Sequence, residues 1–321
     1  MSTGKAPMRD KKDKKSTKRP SHAPSHGSNN GSKTSKKGHR GHRGHDGKGA
    51  SSAAHSGSYH PKQAPDSLKS PFGSYFLWGH HALGAALANP NRKIKKLYAT
   101  ADAKEKFLQQ FTNLPQERVA AMPDIQIVDR HQLDSISDDG TKAVHQGLAA
   151  AVMPLEPPYL EDVLAQLPDD QPVRMMVLDQ VSDPRNIGAI MRSARAFGTC
   201  AIIVQDRHAP EETGTLARTA VGAIEDVAMI RVVNLARALD SLKEAGFMVA
   251  GLDMGGITDT KQAKGASRLA LVMGSEGKGM RRLTTEACDQ ILAIAMADSS
   301  ESLNVSVAAA IIMHSTQYDA E

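Results

Sequence analysis

The sequence predicts an α/β protein: a parallel sheet with helices on both faces, preceded by a smaller α/β domain and a basic amino-terminal tail. Three observations carry this reading. From Val173 onward, short continuous apolar runs such as "VRMMVLD", "CAIIV" and "LALVMG" alternate with amphipathic stretches, the pattern of strands buried on both faces and joined by helices. A second alternation fills residues 71–155, and a Pro-rich segment, 156–172, separates the two. Charge divides the chain as well. Residues 1–69 hold 16 of the 40 Lys and Arg and only 4 of the 35 acidic residues, a balance of +12 that leaves −7 for the rest of a chain totalling +5.

Residues 1–70 are Lys, Ser, Gly and His with few large apolar side chains. Such a segment buries too little surface to offset its ordering entropy, so disorder is expected. Its clusters "KKDKKSTKRP" and "GHRGHRGHDGKG" suit an arm that binds phosphates by counterion release; a plain solubilising tail is the alternative. Its seven histidines vary in spacing and lack cysteine or carboxylate partners, so no metal site is expected there. In the first domain, "YFLWGHHALGAALANPNR" reads as a helix, "KKLYAT" as a strand and "AKEKFLQQFTNL" as an amphipathic helix. "IQIVDRHQLDSIS" then reads as a strand with a short helix, and "HQGLAAAVMPL" as a strand. The linker 156–172 carries one short helix.

The second domain, 173–321, opens with the strand "VRMMVLD" and the helix "NIGAIMRSARAFG", which Gly198 ends. Strand "CAIIV", helix "TLARTAVGA", strand "VAMIRV", helix "NLARALDSLKEAG" and strand "FMVAGLD" follow. Strand "LALVMG", a helix after "GSEGKG", strand "ILAIAM" and a last helix from Val305 complete it. The two cysteines, Cys200 and Cys288, are far apart, which excludes a disulfide framework and fits a reducing compartment. No apolar run approaches the ~20 residues of a membrane span, and the basic amino terminus lacks the apolar core of a secretory signal. A soluble cytoplasmic protein without membrane or metal is therefore expected.

Ligands of a parallel sheet bind beyond the carboxyl ends of its strands. Three such ends are unusual: "LDQVSDPRNIGAIMRSARAFG", "LALVMGSEGKGMRRL" and "IAMADSSESLNVSVAAAI". Neither GxGxxG nor GxxxxGK[ST] occurs. The glycines at 274, 277 and 279 permit close backbone approach to a ligand, although a tight turn explains them equally. "SSESLN" interrupts two apolar segments. Asn304 suits the cap of the last helix, and it equally suits a reaction site. His80, His81 and His145 read as structural or RNA-contacting, Met175, Met176 and Met191 as core, and Arg281 and Arg282 as RNA contacts or plain surface charge.

In this order and strand–loop–helix context, the three segments resemble motifs 1, 2 and 3 of the SpoU/TrmH family of RNA ribose 2′-O-methyltransferases. The resemblance covers residues 74–321 and includes "KAVHQG", Lys142–Gly147, in the first domain. The tail is not part of the family pattern. The resemblance implies a trefoil knot at the carboxyl end of the second domain, a feature almost absent from proteins that periodicity does not reveal. It implies S-adenosylmethionine held by Gly274, Ile294 and Leu303 with Met296 nearby, a homodimer with the site at its interface, and a first domain that binds RNA. It further implies methylation of a guanosine ribose in 23S ribosomal RNA; tRNA methylation and a non-catalytic RNA-binding assembly role are the alternatives. The catalytic positions fall on Arg192, with Asn186, Glu276, Ser302 and Asn304 around it. In the family proposal the arginine accepts the hydroxyl proton. A guanidinium normally stays charged, so stabilising a phosphate and a developing alkoxide is the alternative.

Overall fold

The structure is a computed structural model that describes residues 67–110, 114–138, 141–257, 259–297 and 302–318. The expected disorder of the tail falls almost wholly outside these residues, as do Ser299, Ser300 and Glu301 of the expected knot turn. At the start of the described chain, the Leu68 N–H donates to Ser135 Oγ at 3.1 Å.

The first domain begins with β1 (Tyr75–Trp78), α1 (His80–Ala88), β2 (Ile94–Ala99), α2 (Ala101–Gln110), α3 (Gln116–Ala120) and β3 (Ile125–Ile127). It continues with α4 (Arg130–Asp134), the small hairpin β4 (Ser137–Asp138) and β5 (Thr141–Lys142), and β6 (Leu148–Val152). Its sheet runs β1-β6-β2-β3, with β6 antiparallel to both neighbours and β2 parallel to β3. Here the sequence reading needs correction. "YFLW" is a strand, not the start of a helix, because Gly79 takes φ 90° and turns the chain between β1 and α1. That conformation is free only to glycine. The apolar run passes unbroken across the turn and hides it. The strand expected from His145 starts only at Leu148, since Gln146 and Gly147 both take positive φ.

The linker helix α5 (Leu160–Ala165) leads to the second domain. There β7 (Val173–Asp179), α6 (Pro184–Ala196), β8 (Thr199–Gln205), α7 (Gly214–Ala220), a 3-10 turn, β9 (Ala228–Val232) and α8 (Leu235–Glu244) follow in order. Next come β10 (Met248–Ile257), α9 (Lys261–Gly265), β11 (Arg268–Gly274), α10 (Arg282–Glu286), β12 (Gln290–Leu292) and α11 (Val305–Ser315). The six-stranded sheet, β12-β10-β11-β7-β8-β9, is parallel throughout. All seven residues of β7 are buried, as a central strand covered on both faces requires. Met176 and Leu178 face one core with α6, α7 and α11; Val173, Met175 and Val177 face the other with α5 and α8. Met191 joins the first of these cores, so the three methionines are core residues. The expected strand "ILAIAM" is cut to its first residues. β12 pairs with β10 and ends at Leu292, leaving Ile294 and Met296 in an extended loop.

The four-stranded and six-stranded sheets share one core. Leu77, Leu83 and Leu87 cluster with Ala217, Ala220 and Ile224. A Cβ at Gly214 would lie 2.4 Å from the Trp78 ring, and one at Gly222 would lie 2.8 Å from Ala85 Cβ, so these glycines let α7 and the turn after it approach the first domain. A buried charge cluster crosses the same seam. Arg92 Nε donates to both Glu225 carboxylate oxygens at 3.1 Å, and its Nη1 donates to Met153 O at 2.8 Å and to Glu212. Nη2 lies 2.8 Å from Glu225 Oε1 as an ion pair without hydrogen-bond alignment. The Tyr75 hydroxyl donates to Glu212 Oε1 at 2.5 Å. Burial raises the Glu225 carboxyl against the opposing pull of Arg92, and burial with the Glu212 charge raises the Tyr75 hydroxyl well above its usual value. Among the described residues no helix is long and apolar enough to cross a membrane.

Candidate active site

The segment after β11 folds back on itself. Ser275 and Gly279 form an isolated bridge, and the Gly279 N–H donates to Ser275 O at 2.9 Å. Gly277 and Gly279 take φ 80° and 65°. A Cβ at Gly274 would sit 1.9 Å from the Gly279 carbonyl carbon. That contact is with backbone, so only glycine fits while the turn keeps this shape.

This turn forms one wall of a cavity of about 490 Å³ beyond the carboxyl ends of β10 and β11. The opposite wall is the loop after β12 and the start of α11. The cavity brings together six residues singled out from the sequence: Gly274, Glu276, Ile294, Met296, Ser302 and Leu303. It adds Asp253 and Met254 of β10, just past the stretch paired with β11, which sequence reasoning passed over. The strand-end rule, applied to "FMVAGLD", points to Asp253. The cavity also holds Lys278 and an apolar floor that includes Met273 and Ala308.

Asn304 is not among the lining residues but falls between two that are, Leu303 and Val305. Its Oδ1 accepts the Ser306 N–H at 2.9 Å and the Ser306 hydroxyl at 2.6 Å, capping α11. Its Nδ2 donates to Asn186 Oδ1 at 3.2 Å. One amide therefore caps a helix and ties the third sequence motif to the first. Asn186 is positioned by the start of α6, where the Asp183 carboxylate accepts the Arg185 N–H at 2.8 Å and Pro184 occupies the first helical position.

Arg192 lies on the exposed face of α6, six residues beyond Asn186. Among the described residues it has no hydrogen-bond or ion-pair partner. Glu276 is likewise exposed, and no hydrogen bond joins it to Asn186 or Arg192 among the described residues. Arg195 pairs with Asp226 at 2.8 Å. Arg281 is fixed from below: the Asp179 carboxylate, fully buried at the end of β7, accepts its backbone N–H at 2.9 Å and its Nε–H at 2.7 Å. Nothing in the spacing of the first two motifs signals this pair. The next residue, Gln180, takes φ 62°, a strained conformation of the kind that collects at functional sites. In the first domain, buried His145 contacts Asp134 at 3.0 Å and accepts the Gly147 N–H at 2.9 Å, a structural arrangement. No three His, Cys, Asp or Glu side chains converge as a metal site requires among the described residues.

Two family models match the chain. The SpoU rRNA Methylase family covers residues 174–314, and RNA 2′-O ribose methyltransferase substrate binding covers residues 76–158. An uncharacterized tRNA/rRNA methyltransferase of Mycolicibacterium vanbaalenii is 35% identical over 278 residues, 83% of this chain and 86% of the relative. The 23S rRNA (guanosine-2′-O-)-methyltransferase RlmB of Escherichia coli is 39% identical over 243 residues, 75% of this chain and 96% of the relative. Among solved structures, the SpoU methyltransferase AviRb of Streptomyces viridochromogenes, in complex with AdoMet, superposes with a TM-score of 0.59 at 21% identity, covering 76% of this chain and 89% of that one. This last likeness is one of fold.

Proposed function

The chain belongs to the SpoU rRNA methylase family, and from that premise we propose that it methylates the ribose 2′-oxygen of a guanosine in 23S rRNA, using S-adenosylmethionine. The observation that carries the reading is the Asn304–Asn186 hydrogen bond, made by the residue between Leu303 and Val305 of the glycine-walled cavity. It joins two motifs far apart in sequence at one place.

The cavity suits the cofactor on its own chemistry. Gly274, Gly277 and Gly279 leave backbone amides and carbonyls unshielded, Met273, Leu303 and Ala308 provide an apolar bed, and Asp253 provides an acceptor for hydroxyl groups. Gly274, Ile294, Met296 and Leu303 are the proposed holding residues. When bound, the cofactor supplies a methyl group on a sulfonium, already a good leaving group. The protein must then present the ribose oxygen in line and manage its charge. Asn304 and Asn186 are the proposed orienting pair, with Ser302 and Glu276 of the cavity lining as the other proposed site residues. Arg192 lacks an acidic partner among the described residues, so its guanidinium is available for an RNA phosphate and for the developing alkoxide, leaving the hydroxyl proton to solvent.

The finer features follow the same reading. A homodimer is supported by Val307 and Ile311, 48% and 39% exposed and one helical turn apart on α11. A trefoil knot is supported by the placement of the last elements: β12 sits at the outer edge beside β10, yet α11 packs on α6 and β11. Residues 71–155 are the proposed RNA-binding domain, 156–172 the linker, and 173–321 the catalytic domain, acting in the cytoplasm. The test compares rRNA and tRNA from cells with and without the protein, digested and quantified for 2′-O-methylated nucleosides by mass spectrometry. Loss of one 2′-O-methylguanosine from a large-subunit rRNA fragment is expected. Loss from tRNA alone would overturn the target, and no change in either pool would overturn the activity.

A further inference from the structure

A second cavity, of about 560 Å³, opens beyond the carboxyl ends of β8 and β9, walled by the starts of α8 and α10. It lies on the α8 side of the sheet, whereas Asn186, Arg192 and Asn304 belong to α6 and α11 on the other side. Its lining includes Arg207, Arg281 and Arg282 and no acidic residue. Arg281 is locked by buried Asp179, and Arg207 is exposed with no partner among the described residues. Arg282 pairs only with Glu286 at 2.6 Å, with both side chains exposed, a weak contact that an anion displaces readily. Beside these cations stand two apolar side chains held in the open, Val233 at 79% and Leu283 at 59% exposure. A polar atom is also left over. Gln205 Nε2 donates to Val233 O at 3.3 Å, which fixes the amide orientation, and its buried Oε1 has no partner among the described residues.

We propose that this cavity binds a nucleotide of the RNA substrate other than the one methylated. The base lies against Val233 and Leu283, and its phosphate pairs with Arg207 and Arg282. Apolar faces for a base beside guanidiniums for a phosphate are the usual means of holding unpaired RNA. The segment from Gly274 to Thr284 lines both cavities, so a nucleotide seated here would set the register of the RNA against the methyl-transfer site. The inference rests on the RNA methyltransferase reading above.

The test uses the full chain and large-subunit rRNA from cells lacking the protein, comparing wild type with Val233→Asp and Arg207→Glu. Both positions are exposed, and S-adenosylmethionine affinity serves as the control for folding. For Val233→Asp, RNA Kd and RNA KM are expected to rise about tenfold, the loss of one base contact. For Arg207→Glu, the slope of log Kd against log salt is expected to flatten by about one. Unchanged RNA affinity in both variants overturns the cavity proposal, whether or not the wild type methylates. A wild type that transfers no methyl, with variants that still lose RNA affinity, overturns the activity reading while supporting the cavity.

Discussion

At the scale of single residues, Asn304 divides its amide between two tasks, and each task can be removed separately. Serine caps a helix about as well as asparagine but is too short to reach Asn186. Asn304→Ser is expected to retain stability within about 0.5 kcal/mol while methyl transfer falls at least tenfold. Asn304→Ala is expected to lose the same activity and about 1 kcal/mol besides. Denaturant titration and single-turnover methyl transfer separate the two; full activity in Asn304→Ser would remove the Asn186 contact from the reaction. A capping residue is legible in a sequence because the helix start beside it is legible. The partner of the other half of the amide lies 118 residues away, and no local spacing encodes it. Arg281 follows the same logic. Its charge is plain in "MRRL", but the buried carboxylate that orients it, Asp179, reads from the sequence as one more strand end.

Among the elements, the turn after β11 constrains its own sequence most tightly. Gly274→Ala forces a methyl group against the Gly279 backbone, so the turn must open. Overpacking of this kind costs about 1–3 kcal/mol. Cofactor affinity is expected to fall at least tenfold, measured by calorimetry; unchanged affinity would remove the turn from the cofactor site. The six parallel strands and most of the helices between them were legible because each buried strand is a continuous apolar run. Elements that escaped notice lack that signature. α3, α9 and the β4–β5 hairpin have five residues or fewer each, too few to show a period. β1 escaped because its apolar residues merge with those of α1. β12 was overextended because Ile294 and Met296 are apolar for the sake of the cavity they line, not of the sheet.

Over the whole molecule, the separation into two main sheets was legible from the change in pattern near residue 156, but the seam between the sheets was not. Its charges come from Arg92 on one side and Glu212 and Glu225 on the other, 120 and 133 residues away. Arg92→Ala leaves two buried carboxylates without their cation. It is expected to destabilise the protein by about 3–5 kcal/mol, read from the urea midpoint. A loss under about 1 kcal/mol would mean that the seam opens and lets water reach the acids. The same seam holds Trp78, 3% exposed against Gly214, with its indole N–H unpaired among the described residues. It is the only tryptophan of the chain. The protein thus carries a native optical reporter at the join between its two main sheets. Tryptophan emission follows the docking of one half on the other and shifts to the red when water enters the seam, without any added label.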